Sequence, residues 1–268
     1  MPEGTRAGFP THWISHGDGP RDALFLHCSL ASSRSLMPLM DRVGDHLSIT
    51  APDLPGHGGS GAWDGQGDYV ARATDMAEAF CDGPRDLVGH SLGAVVALSL
   101  MVRRPDLVRS ATLIEPVFFA AARGRGGYGT YISDHAPIMD DIEGGHHEAA
   151  TRAFTDIWGA PRSWDDTRQS MRRAMIDRIP LIAATAPALE GDSNDLLSDG
   201  RLEAVDAPVL LVRGEQSHPV IPDILSALAD RLPDTAIEVV AGANHMAPIT
   251  HPDEVARLID RQIRPRND

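Results

Sequence analysis

Lysine is absent from this sequence, in which all 24 basic residues are arginine. Schiff-base chemistry and general-base catalysis by lysine are therefore excluded. Cysteine is almost as scarce, because Cys28 and Cys81 are the two present and they do not form a CxxC pair. Neither a disulfide framework nor a zinc site is predicted. Since no stretch of about 18 apolar residues occurs, we also expect no membrane-spanning helix.

Positive charge is also in short supply, and 38 acidic residues give the chain a net charge of -14. Nucleic acid and anionic membrane surfaces would be repelled, so we expect neither as a partner. The first residues, MPEGTRAGFPTHW, lack the charged start and apolar run of a signal peptide. We therefore expect a soluble cytoplasmic protein, and the sequence leaves open whether it forms a homodimer.

The most informative stretch runs from Asp86 to Pro105 and reads DLVGHSLGAVVALSLMVRRP. A short strand pattern ends before Gly89, and the unbroken apolar run 94–102 is long enough for a helix of about three turns. Ser91 therefore sits on a tight strand-to-helix turn with a glycine two residues to each side. The glycines remove side chains that would collide across a strained turn, and the helix N-terminus favours negative charge. The arrangement is typical of a nucleophile elbow, although the five residues alone also fit an ordinary glycine-rich turn.

Strand and helix patterns alternate in both parts of the chain that flank its middle. Apolar runs predict strands at 9–14 (an edge strand), 22–27, 48–51, 86–88, 108–114, 208–212 and 237–240. Helical spacing predicts helices at 36–47, 69–80, 94–102, 221–232 and 252–263. Such alternation predicts a mostly parallel sheet with helices on both faces. Ligands of these sheets bind at the carboxyl ends of the strands, where His27, Ser91 and Glu115 lie.

The alternation is interrupted between residues 117 and 201. Residues 122–129 are rich in glycine, and we expect a mobile loop there, followed by helices at 146–158 and 165–184. We interpret residues 117–201 as a helical cap inserted into a core formed by residues 1–116 and 202–268. Most aromatic residues of this segment are expected to form its own core. Trp158 and Trp164 are candidates for setting the chain length of a substrate.

In the order and spacing of four features, the chain resembles the α/β-hydrolase superfamily over nearly its whole length. The features are the loop after DALFLH, the DLPGHGGS turn, the GHSLG elbow and the GANH loop before the final helix. The resemblance implies an α/β fold with an eight-stranded, mostly parallel sheet and a cap inserted after the sixth strand. It also implies an enzyme that acts on a small molecule and needs no cofactor or metal.

Carried onto this sequence, the resemblance makes Ser91 the nucleophile and His245 the general base. A serine hydroxyl attacks efficiently only when a base removes its proton, and the pKa of histidine near neutrality suits that task. A histidine that merely caps a loop is the competing interpretation of His245. The backbone N–H groups of Leu92 and Ser29 would form the oxyanion hole.

The loop that would contribute Ser29 departs from the family pattern. The family commonly has His-Gly where this chain has His27 and Cys28. A thiol nucleophile at Cys28 is the less favoured alternative, because no base is evidently paired with it.

The acid of the triad is the second departure from the family. The loop after the seventh strand usually supplies an aspartate three residues after its glycine, where this chain has Ser217. We therefore predict Glu115 as the acid, because it ends the sixth strand, Pro116 follows it, and some family members place the acid there. Two alternatives stay open: Glu215 as the acid, or an ion pair between Glu115 and an arginine of the cap.

The leading hypothesis is a carboxylesterase-like serine hydrolase that cleaves a small ester or related acyl compound through an acyl-enzyme intermediate. A carbon–carbon bond or lactone hydrolase with the same triad is the first alternative. A non-catalytic ligand-binding protein of the same fold is the second, and the retained Ser91 and His245 weigh against it. Haloalkane dehalogenase and epoxide hydrolase chemistry is disfavoured, since those relatives carry aspartate where Ser91 stands.

Overall fold

The computed structural model describes residues 3–160 and 163–264, and within them one sheet of eight strands forms the centre. The strands are β1 (Glu3–Arg6), β2 (Phe9–His16), β3 (Arg21–Leu26), β4 (Leu47–Pro52), β5 (Arg85–His90), β6 (Val108–Ile114), β7 (Val209–Gly214) and β8 (Thr235–Val240). Their spatial order is β1-β2-β4-β3-β5-β6-β7-β8. The β1–β2 and β2–β4 pairs are antiparallel and the others are parallel, so the predicted sheet is confirmed.

Helices cover both faces of this sheet. They are α1 (Met37–Val43), α2 (Tyr69–Glu78), α3 (Leu92–Arg103), α4 (Gly126–Glu143), α5 (His147–Trp158), α6 (Gln169–Arg178), α7 (Pro180–Leu189), α8 (Val220–Ala229), α9 (Ala247–Thr250) and α10 (Pro252–Ile263). Helices α2, α3 and α8 share one apolar core with the sheet, and α1 and α10 share the core on the other face. In the part of the chain that is described, no helix combines the length and apolar character needed to cross a membrane.

The sheet edge differs from the sequence-based expectation. Strand β1, rather than Phe9–His16, lies at the edge, and it pairs with β2 through a two-residue turn at Ala7 and Gly8. Both turn residues have positive φ angles, 47° and 79°, which match the twist of a tight hairpin. The residues of β1 are polar and mostly exposed, so no apolar pattern marked this strand.

The segment 117–201 contains helices α4 to α7, and one of them begins where a mobile loop was expected. Helix α4 starts at Gly126, so the glycine-rich sequence is helical from that residue onward. The N–H of Gly127 donates to Asp223 Oδ2 at 2.7 Å, and a side chain at Gly127 would collide with the backbone of Pro219. Gly127 therefore permits close packing of α4 against the start of α8. The expected helix at 165–184 is divided at Pro180, which begins α7.

Candidate active site

Ser91 lies between the end of β5 and the start of α3, with φ 56° and ψ -117°. Its flanking glycines are required, because a side chain at Gly93 would strike the backbone of Leu26 and one at Gly89 would strike that of Ala94. The Ser91 N–H donates to the carbonyl of Ile114 at 2.9 Å, which fixes the turn against β6. Ser91 therefore has a strained backbone conformation, and it lies at the carboxyl edge of the sheet.

Glu115 follows β6 at the same edge, is fully buried, and also has a positive φ of 52°. Its Oε2 accepts a hydrogen bond from His245 Nδ1 at 3.0 Å. Its Oε1 accepts from the Gly214 N–H at 2.6 Å and from the Ser217 hydroxyl. A buried carboxylate is tolerated when its oxygens are satisfied in this way. The structure thus brings together the acid and the histidine that the sequence predicted, and it makes Ser217 a donor to that acid.

Glu215, the alternative acid, is exposed and has another partner. Its Oε2 accepts from the N–H of Gly242 at 2.9 Å, in the turn that precedes the His245 loop. Glu215 therefore supports this turn from outside, whereas Glu115 contacts the imidazole itself.

The position of His245 is fixed from two further sides. His90 Nε2 donates to the His245 carbonyl at 2.8 Å. The Trp158 ring packs against the His245 ring, with 5.1 Å between the two ring centroids. Burial lowers the pKa of His90 to about 3, so this histidine is neutral and structural. Ser91 and His245 line one cavity, although the hydrogen bonds of the described residues include none between them. In unliganded sites such a bond often forms only with substrate.

Two backbone N–H groups lie free next to Ser91. Within the described ranges, the N–H groups of Leu92 and Ser29 donate to no protein acceptor. Leu92 begins α3, where the helix dipole favours an anion, and Ser29 lines the cavity above Ser91. Cys28, which stands where the family commonly has glycine, does not have a positive φ, so a residue with a side chain causes no backbone strain at this position. Burial raises the pKa of the Cys28 thiol to about 12, which disfavours a thiolate nucleophile.

Two buried histidines hold the loop that carries Ser29, a role that sequence analysis did not assign. His57 Nε2 accepts from the Leu30 N–H at 3.1 Å, and its Nδ1 donates to the carbonyl of Pro55 at 2.9 Å. His27 Nε2 accepts from the Leu54 N–H at 3.0 Å. Leu30 has a positive φ of 61°, so these bonds stabilise a strained conformation. Motifs gave no signal for this role, because it depends on contacts between distant loops.

These neutral histidines predict that acid destabilises the fold. Burial lowers the pKa of His57 and His90 to about 3 and also lowers that of His27. Below the unfolded-state pKa of 6.5, the unfolded chain binds protons that the folded chain excludes. The free energy of unfolding should therefore fall between pH 6.5 and about 3, by up to about 1.4 kcal/mol per pH unit for each of His57 and His90. Urea unfolding between pH 7.5 and 4.5 measures this slope.

Carboxylates contribute to the same slope, so variants are needed to isolate the histidine contribution. His57→Gln keeps an acceptor for the Leu30 N–H but does not titrate, and its slope should be shallower than that of the wild type. His146→Gln, at a side chain that is 69% exposed, should keep the wild-type slope. Equal slopes in all three proteins would contradict the assignment.

Ser91 lines two cavities. The larger has a volume of about 400 Å³ and is lined by His245 and by apolar side chains that include Met171, Met175 and Ile249. The smaller, about 30 Å³, extends from Ser91 into the segment 117–201. Trp158 lines both cavities, whereas Trp164 lines neither and instead lies below the Arg172 guanidinium. Of the two tryptophans singled out in the sequence, Trp158 is therefore the one next to the site.

An eight-stranded, mostly parallel sheet with a strained serine at the end of β5 defines the class of this protein. The model of the alpha/beta hydrolase family matches residues 23–258, and the chain belongs to this family. The predicted superfamily is thus confirmed.

Relatives of known activity agree with this assignment. The chain is 28% identical over 250 residues to the 2-(acetamidomethylene)succinate hydrolase of Mesorhizobium japonicum, with 92% of this chain and 89% of the relative covered. It is 30% identical over 257 residues to the lipase LipV of Mycobacterium tuberculosis, with coverages of 92% and 95%. The fold is also that of a crystal structure from Acinetobacter baumannii, named as a putative lipase, which superposes with a TM-score of 0.80 at 17% identity and covers 97% of this chain and 89% of the other. The chain is thus an α/β-fold hydrolase, an enzyme.

Proposed function

We propose that this protein is a serine hydrolase that cleaves a small carboxylic ester, or a related acyl compound, through an acyl-enzyme intermediate. Ser91 is the nucleophile, His245 the general base and Glu115 the acid of the triad. The observation that carries the proposal is the buried hydrogen bond from His245 Nδ1 to Glu115 Oε2, beside a serine at φ 56°.

Each part of the site has a task in this reaction. The Ser91 hydroxyl attacks the carbonyl carbon while His245 Nε2 takes its proton, and Glu115 stabilises the resulting imidazolium. The N–H groups of Leu92 and Ser29 donate to the oxygen that becomes negatively charged. His245 then returns the proton to the leaving alcohol, and a water activated by the same histidine releases the acid. These free N–H groups support turnover, because they can donate to the oxyanion that forms after attack by Ser91.

The cavities support a small substrate with an apolar portion. A volume of about 400 Å³ falls within the range of pockets that enclose small ligands. Its methionine and isoleucine side chains suit an alkyl or aryl group, and Arg34 and Arg178 add positive charge to the lining. The same triad would also open a lactone, which is an internal ester.

Active-site labelling combined with a substrate panel tests this proposal. A fluorophosphonate should label the protein stoichiometrically, and peptide mass analysis should place the label on Ser91. Chromogenic acyl esters of increasing chain length should be hydrolysed, with a maximum at the length that the cavities accommodate. An unlabelled protein that hydrolyses no ester of the panel would refute the proposed function.

A further inference from the structure

One end of the smaller cavity is polar, although most of its lining is apolar. Tyr131 and His135, on consecutive turns of α4, meet Glu190, which directly follows α7. The Tyr131 hydroxyl donates to Glu190 Oε1 at 2.8 Å, and the Tyr131 and His135 rings stack with centroids 5.0 Å apart. Burial raises the pKa of Tyr131, so its hydroxyl keeps the proton. Because Ser91 lines the same cavity, this polar end is connected with the reaction centre.

His135 has no hydrogen bond to any of the described residues, although it is only 7% exposed. Its Nδ1 is buried without a partner, and its Nε2 lies 3.8 Å from Glu190 Oε1, too far for a hydrogen bond. Burial lowers the pKa of His135, so the ring is neutral and can present one N–H. Neither ring nitrogen of His135 is therefore hydrogen-bonded to a described residue, and Nε2 is the nitrogen separated from Glu190 Oε1 by a gap of 3.8 Å.

We propose that the gap between His135 Nε2 and Glu190 Oε1 receives a hydroxyl group of the substrate, an inference that rests on the proposed function. A hydroxyl oxygen about 2.8 Å from each atom fits between two atoms 3.8 Å apart. It accepts from the His135 N–H and donates to the Glu190 carboxylate. The substrate is then a short ester with a hydroxyl on a carbon near the scissile bond.

Other groups match this pair less well. A methyl group can neither accept nor donate, so both protein groups stay unpaired. A carboxylate can only accept and meets the negative charge of Glu190. An ammonium can only donate, so it requires the tautomer of His135 that carries the proton on Nδ1, where that N–H has no acceptor among the described residues. The cavity volume of about 30 Å³ exceeds the roughly 10–15 Å³ needed by one water, so a short arm fits and a long one does not.

Isosteric short esters test the inference, with hydrolysis followed by acid release at constant pH. The acyl series comprises methyl 3-hydroxypropanoate, methyl butanoate, methyl 3-aminopropanoate and monomethyl succinate. The alcohol series comprises 2-hydroxyethyl acetate and propyl acetate, because either side of the ester could occupy this arm. In one of the two series we expect kcat/KM for the hydroxyl compound to exceed that of its methyl isostere by about ten- to a hundredfold. Monomethyl succinate should be the poorest substrate.

Two variants assign the preference to the proposed pair. His135→Phe keeps an aromatic ring against Tyr131 but removes the N–H, and Glu190→Gln removes the charge. Each should reduce the hydroxyl-to-methyl ratio of kcat/KM to less than about threefold. Glu143→Gln, at an exposed glutamate at the end of α4, serves as the control and should keep the wild-type ratio. Fluorophosphonate titration counts the active sites in each preparation, so loss of folded protein does not distort the ratios.

The outcomes separate this inference from the proposed function. If the esters are hydrolysed and Ser91 is labelled, but hydroxyl and methyl compounds react equally, the cavity holds only water and the inference is wrong. A preference for the ammonium or the carboxylate would also overturn it. A preference that persists in both His135→Phe and Glu190→Gln would place the hydroxyl elsewhere. If no ester is hydrolysed and no label is taken up, the proposed function fails and the inference fails with it.

Discussion

Replacement of Ser91 by alanine should lower kcat for ester hydrolysis by about four to six powers of ten while the fold is retained. The hydroxyl is the attacking group, and no other nucleophile lies at the elbow. Stability should change little, because the Ser91 side chain makes no capping hydrogen bond to α3 and is not otherwise paired among the described residues. Steady-state kinetics on a chromogenic ester and the thermal midpoint Tm measure the two effects.

Ser99→Ala provides a matched control for this variant. Ser99 is buried on the same helix, and its hydroxyl has no hydrogen-bond partner in the described part of the chain. Loss of this hydroxyl should leave activity near the wild-type level, because the group is unpaired and distant from the turn. Fluorophosphonate label that persists in Ser91→Ala would show that the nucleophile is another residue.

The sequence was sufficient to predict which candidate site residues meet at the carboxyl edge of the sheet, because their placement depends on chain order. Ser91 follows from a strand, a turn flanked by glycines and an apolar helix, all within one stretch. Glu115 could be predicted as the acid because it comes directly after β6 and because position 217 holds a serine instead of an aspartate. Neighbouring parallel strands end at one edge, so residues at their carboxyl ends meet whatever the details of packing.

The contacts that determine the rest of the site could not be predicted from the sequence. The support of Leu30 by His57 and the gap between His135 and Glu190 depend on side chains from distant segments. In the sequence, these residues look like ordinary loop or helix residues. Helix α4 was also missed, because the glycines at its start are unfavourable for an isolated helix and the close contact of Gly127 with the backbone of Pro219 is not visible in the sequence.

Glu115→Gln should lower kcat by about three to four powers of ten, whereas Glu215→Gln should lower it by less than about threefold. In the wild type, Oε1 of Glu115 accepts from the Gly214 N–H and the Ser217 hydroxyl, and Oε2 accepts from His245 Nδ1. An amide cannot accept on both sides. If its oxygen faces the Gly214 N–H, its NH₂ group faces His245 and forces the proton of the imidazole onto Nε2. In that tautomer His245 cannot take the proton of Ser91, which is the physical origin of the large loss.

The comparison of the two glutamine variants decides which carboxylate is the triad acid. Glu215 accepts one exposed backbone hydrogen bond from Gly242, and glutamine can still accept it, so the His245 loop should stay in place. Equal Tm values for Glu215→Gln and the wild type would verify this. Ser217→Asp in the Glu115→Gln background would place a carboxylate at the usual family position. Partial recovery of kcat in this double variant would show that Glu115→Gln had lost the function of an acid beside His245. Near-normal turnover of Glu115→Gln, together with loss in Glu215→Gln, would instead place the acid on the loop after β7.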